Sequence, residues 1–227
     1  LAQHCEVASL TKGAVMHEGS CCSHLGLPGW PSIAEELMVH RDIELVRLTG
    51  APVHLLHLST ARSVELVRAA KADGLPVTAE AAPHHFTLTD TMLEGFDAVY
   101  KVNPPLRTPD DIAAIKAGLA DGTIDAIATD HAPHSEVEKC CSYDEAAFGI
   151  SGLETALPAL LALHHHHGLP LATLIAALTT RPAQCFALAA RLGRPVGTLA
   201  AGAVGDVVVF DPYLPFVVQP ARFVSKG

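Results

Sequence analysis

The sequence predicts an α/β fold, about half of a TIM-type (β/α)8 barrel over residues 1–192, followed by a small β appendage over residues 193–227. Three observations predict it. Short apolar runs alternate with helical stretches at the spacing of βα units, which implies parallel strands. The runs PVHLLHLS (52–59), PVTAEAAPHH (76–85) and IDAIATDHAPH (124–134) are nearly continuous in apolar character, as strands buried on both faces are. Their exits, together with the exit of the opening segment, carry His57, His84–His85, Asp130 and His4. Polar groups at successive strand ends favour a barrel over an open sheet, because barrel chemistry is collected on that rim.

Leu1 to Glu6 reads as the tail of a strand, so the chain is expected to start in mid-fold. The loop GLPGWPSI (26–33) leads to Ser32 and Glu35, a capping-box pair, and Ala34, Leu37, Met38, Arg41, Leu45 and Leu48 recur at helical spacing up to Gly50. A second helix runs from about Ala61 to Asp73. In KVNPPLR (101–107), Pro104 and Pro105 make a rigid loop. Thr108-Pro109-Asp110-Asp111 is a helix start with a capping threonine, proline at the first position and acids at the positive end. Ile112, Ile115 and Leu119 give that helix its apolar face, and Gly122 ends it. The next strand begins at Ile124. Helices interrupted at Pro158 and Pro182 extend to about Leu192, and GTLAAGAVGDVVVFDP (197–212) supplies two short apolar runs for the β appendage.

Of the 227 residues, 49% are hydrophobic and 17% charged, which suits a packed domain rather than a disordered chain. A net charge of −9 and the lack of a basic run argue against nucleic acid as a partner. No apolar run approaches a membrane span, so a soluble, cytoplasmic protein is expected. Cysteines 5, 21, 22, 140, 141 and 185 suit neither a disulfide framework nor a C-x-x-C zinc site and are expected to be reduced. The tract His164 to His167 points in four directions around a helix end and is expected to be solvated.

His4, His57 and Asp130 thus fall at three strand ends on one rim. Two imidazoles and a carboxylate are a donor set for catalytic zinc, which polarises a carbonyl and acidifies water. Asp130 is suited both to bind the metal and to take the proton from the attacking water and deliver it to a leaving nitrogen. His54, three positions before His57, is expected to be buried structure, and so are His84 and His85.

HCE (4–6), LGLPGWPSIAEE (25–36), RDIELV (41–46), HLLHLSTARSVE (54–65), VTAEAAPHH (77–85), KVNPPLR (101–107), DGTIDAIATDHAPH (121–134) and FGISGLET (148–155), in this order, resemble the bacterial dihydroorotases of the amidohydrolase superfamily. The resemblance implies a zinc-dependent cyclic amidohydrolase of pyrimidine synthesis, with His4 and His57 as ligands of the second metal of a binuclear Zn2+ site. It makes Asp130 ligand and base, and Asn103, His134 and the Phe148-Gly149 backbone substrate contacts. It also implies a homodimer and association with aspartate transcarbamoylase. The family's H-x-H, its substrate arginine and its bridging carboxylate would lie before Leu1, so the chain is expected to be the C-terminal portion of such an enzyme, inactive alone. Val7 and Ser151 depart from the family's usual Asp and Pro. Allantoinase or dihydropyrimidinase, and a non-catalytic partner of a transcarbamoylase, are the alternatives.

Overall fold

The computed structural model describes residues 1–225, with 226 and 227 outside the described residues. The chain opens with β1 (Ala2–Gln3) and α1 (Ala8–Thr11), then β2 (Met16–His17), α2 (Ser20–Leu25), β3 (Gly29–Trp30) and the long α3 (Ile33–Thr49). Two βα units follow: β4 (Val53–Leu55) with α4 (Ala61–Ala72), and β5 (Val77–Ala81) with α5 (Pro83–Thr87). Then come α6 (Pro109–Asp121), β6 (Ala126–Ile127), α7 (Glu136–Lys139) and a helical run of α8 (Ala156–His167), α9 (Leu171–Leu178), α10 (Thr180–Cys185) and α11 (Leu188–Leu192).

The main sheet has the order β1-β4-β5-β6, all parallel, while β2 and β3 pair separately in the excursion between β1 and β4. Each crossover moves the same way across the sheet. Doubly wound sheets reverse at a switch point and this one does not, so the four strands form an arc of the expected barrel. Register places His54 opposite Thr78, and Glu80 opposite Ala126.

The strands are far shorter than the apolar runs that announce them. Of residues 124–134 only Ala126–Ile127 is strand, and His84–His85 sit on α5 rather than at a strand exit. Pro83 explains the second difference, since it cannot extend the ladder yet is well suited to the first position of a helix.

Helices cover the outer side of the sheet. Val39, Ile43 and Val46 of α3 and Val67 of α4 pack on Val53, Leu55 and Val77, while Ile115 and Leu119 of α6 join Phe86, Ile127 and Leu160. In α3 the leucines 37, 45 and 48 read from spacing are instead exposed. Helices α4 and α6 approach closely at Gly118, where a Cβ would lie 2.8 Å from Val64 Cγ1. Thr108 caps α6 as expected, and Asp111 reaches back to complete a capping box. Pro158 lies in the first turn of α8, where it interrupts nothing.

Two expectations fail. Ser32 does not cap α3, because it is itself helical and its hydroxyl accepts from Arg107 Nη1 at 3.4 Å, while Glu35 is drawn away to Ser59 and Thr60. The expected β appendage over 193–227 contains no strand among the described residues, only a 3-10 turn at Pro220–Arg222. Val207–Val209 and Phe216–Val218 stay exposed without a partner edge, and two isolated strands have little stability of their own. Among the described residues no helix is long and apolar enough to cross a membrane. The six cysteines are free, as expected.

Candidate active site at the strand exits

His57 leaves β4 and Asp130 leaves β6 with positive φ, +33° and +48°. Non-glycine residues adopt such angles only where the surroundings enforce them, and such strain collects at functional sites. The surroundings at His57 are explicit. Leu56 N donates to Gln3 O and Leu58 N to Glu80 O, so neighbouring strands grip the loop on both sides of the histidine. Two residues on, Ser59 N and Thr60 N donate to the buried Glu35 carboxylate at 3.0 and 3.2 Å.

His4 and His57 stand edge to face, 4.6 Å between ring centroids and 74° between planes. Burial pushes the His57 imidazolium down, with the nearby Asp130 carboxylate pulling the other way. Burial likewise raises the Asp130 carboxyl, against the attraction of His57 and His4. A carboxylate with a raised pKa is a better proton acceptor, and a neutral imidazole keeps a free electron pair. Nδ1 of His57 is buried without a hydrogen-bond partner, an orphaned polar atom of the kind found beside a ligand or ion site.

The three donors suit a divalent transition metal in kind. Among the described residues no three His, Cys, Asp or Glu side chains converge enough to enclose an ion. The His4 ring is edge-on to His57, its side chain is 40% exposed, and Nδ1 lies 3.9 Å from Glu6 Oε2.

The other expected site residues gather on the same rim. Asn103 Nδ2 donates to Glu6 Oε2 at 3.2 Å, which leaves its buried Oδ1 without a partner. His134 Nε2 donates to Phe148 O at 2.9 Å, so in this state it ties the loop to the segment that precedes Gly149. Gly149 lies so close to the Asp130 loop that a Cβ would stand 2.5 Å from Ala132 O, at φ +153°. Phe148 packs against Trp30, 5.8 Å between ring centroids.

His54 is buried as expected, bonded to Thr78 Oγ1 and Glu80 Oε2 at 2.8 and 3.0 Å. His84 and His85 also keep the buried positions expected of structural groups. Burial and the charge of His57 push His84 down to about 3, and His85 Nε2 donates to Pro104 O.

Sequence reasoning missed four groups. Glu80, the one charged residue in the VTAEA strand, shares the face of Thr78 and acts electrostatically on both His57 and Asp130. Glu6 orients Asn103. Glu35 holds the loop after His57. Arg107, 1% exposed, donates to Ser59 Oγ, Trp30 O and His17 Nδ1 at 3.0 to 3.1 Å and so joins four segments. A lone charge inside an apolar run was the legible signal for Glu80; the partners of the other three are distant in sequence.

Residues 27–226 match the model of the amidohydrolase family. The chain is 53% identical, over 99% of its length, to a dihydroorotase of Pelotomaculum thermopropionicum, and 51% identical over its whole length to one of Anaeromyxobacter dehalogenans. It spans about half the length of these curated relatives, 51% and 52%. Among solved structures it is similar to a D-hydantoinase (dihydropyrimidinase) of Thermus sp. at 26% identity and TM-score 0.72, and to an L-hydantoinase of Arthrobacter aurescens at 24% and 0.76. Each match covers 90% of this chain and 46% of the other.

Proposed function

Because the chain belongs to the amidohydrolase family, we propose that it carries the base-bearing half of a dihydroorotase, which reversibly hydrolyses the ring amide of (S)-dihydroorotate to N-carbamoyl-L-aspartate. The observation that carries the reading is the placement of Asp130 beside His57 and His4 at the exits of parallel strands, with burial raising the carboxyl. About half-length identity to curated dihydroorotases supports the choice of substrate.

In this reading His4, His57 and Asp130 would hold zinc, which when bound supplies Lewis acidity toward the amide carbonyl. The residues of the chain do the rest. Asp130 accepts a proton from the attacking water and returns it to the ring nitrogen as the C–N bond breaks; in the reverse direction it takes the proton from the carbamoyl nitrogen. Asn103, with Nδ2 committed to Glu6, offers Oδ1 to an N–H of the substrate. His134 turns from Phe148 O toward the substrate carboxylate, and the Phe148-Gly149 backbone lies along the ring. A homodimer in the cytoplasm, associated with a transcarbamoylase, accompanies this reading.

The similarity to hydantoinase structures favours a second reading, a related cyclic amidohydrolase. The test is turnover of dihydroorotate, hydantoin and allantoin by the purified full-length enzyme that carries this chain, with its zinc content. Dihydroorotate as the preferred substrate with bound zinc is expected. Preference for hydantoin or allantoin overturns the substrate, and a zinc-free, inactive protein that co-purifies with a transcarbamoylase overturns the enzyme.

A further inference from the structure

We propose that Lys101 and Lys139 form a reciprocal clamp that holds segment 135–149 against the 98–103 loop and thereby positions Phe148 and Gly149. The two lysines reach across the gap in opposite directions. Lys139, at the end of α7, sends Nζ to Ala98 O and Lys101 O at 2.9 and 3.1 Å, and to Ala147 O at 2.8 Å. An ammonium has three N–H donors, and all three are used. Lys101, 2% exposed, sends Nζ the other way, to Tyr143 O and Asp144 O at 2.8 and 3.0 Å. It also lies 4.6 Å from the centroid of the Phe148 ring, within the range of a cation–π attraction.

The contacts converge on the candidate substrate segment. Lys101 O accepts from Gly149 N at 2.9 Å as well as from Lys139 Nζ, so one carbonyl fixes the glycine backbone and anchors the clamp. Ala147 O, two residues before Gly149, is the third acceptor of Lys139. Asn103 lies two positions beyond Lys101, so the clamp also sets the distance between the two sides of the substrate space. Nothing in this arrangement touches a reacting atom. Both lysines are positioning residues, and they act through Phe148 and Gly149.

The substrate roles of those two residues rest on the dihydroorotase reading, whereas the clamp itself does not. The test is Lys139→Met, which keeps the length and removes every donor at a half-buried position, compared with Lys139→Arg and with the buried Lys101→Met. Backbone hydrogen exchange of residues 135–149 is measured by mass spectrometry, with α4 as internal reference. Loss of the charge-assisted bonds is expected to speed exchange in 135–149 by about 10-fold or more, with α4 unchanged and partial recovery in Lys139→Arg. The emission of Trp30, the single tryptophan of the chain, should shift as Phe148 moves. In the full-length enzyme, KM for dihydroorotate should rise while kcat stays within about 3-fold, as loss of uniform binding requires. Unchanged exchange in 135–149 of folded Lys139→Met overturns the clamp. Faster exchange together with a full-length enzyme that never turns over dihydroorotate supports the clamp and overturns the substrate reading instead.

Discussion

Replacing Glu35 with alanine should be among the most damaging single changes outside the strand exits. Its carboxylate is 2% exposed and accepts from Ser59 N, Thr60 N, Thr60 Oγ1 and Ser59 Oγ. It is also the nearest counter-charge of Arg107, with Oε2 3.9 Å from Nη2. Burial pushes the Arg107 guanidinium down, and Glu35 is the largest influence opposing it. Alanine leaves two buried amides without acceptors, at about 1–3 kcal/mol each, and a buried guanidinium without its partner, at about 3–5 kcal/mol. These costs share one carboxylate and do not add, so a loss of about 3–5 kcal/mol is expected. Glu35→Gln keeps the volume and one acceptor but turns an amide N–H toward other donors, and should lose about 1–3 kcal/mol. Urea unfolding measures both, read as a shift in midpoint at constant slope. A loss below about 1 kcal/mol for Glu35→Ala would refute the idea that this carboxylate fixes the loop after His57.

Three further outcomes are expected. Gly149→Ala puts a Cβ 2.9 Å from Ala132 Cβ and from His134 Cδ2, and a displacement near 1 Å should lower kcat/KM for the proposed substrate, dihydroorotate, about 100-fold in the full-length enzyme with the far-ultraviolet circular dichroism unchanged; a normal kcat/KM would show that the segment has no part in binding. Asp130→Asn removes the proposed base and, in the full-length enzyme, should lower turnover by about 10²–10⁴-fold, measured at saturating substrate, so a rate near that of the parent would assign the proton to another group. Burial, then the charge of Arg107, lowers His17 from 6.5 to about 4. The fold therefore takes up this proton later than the unfolded chain does, so stability is unaffected near neutrality, falls as pH drops below 6.5 and levels off below about 4. His17→Gln should flatten that limb in urea midpoints against pH, and parallel curves for the two proteins would sink the argument.

The sequence by itself determined the parallel βα order and the strand ends at which the candidate site lies. Apolar runs, glycine stops and the Thr108 cap are local signals, because burial on two faces and helix termini constrain residues near one another in the chain. His4, His57 and Asp130 stood out as candidates for the same reason, as polar groups where apolar runs end. Spacing failed on α3, where Leu37, Leu45 and Leu48 are exposed and Val39, Ile43 and Val46 are buried, because a helix rich in apolar residues offers more than one candidate face. Ser32 and Glu35 matched a capping box, yet Arg107 and the Ser59–Thr60 amides claim them from far along the chain.

Only the tertiary structure decided which charges are buried together. Glu35 with Arg107, Glu6 with Asn103, Glu80 with His54, and Lys139 with three carbonyls are pairings made across 8 to 97 positions. No periodicity encodes them, since a buried charge is satisfied by whatever donor or acceptor the fold brings within about 3 Å.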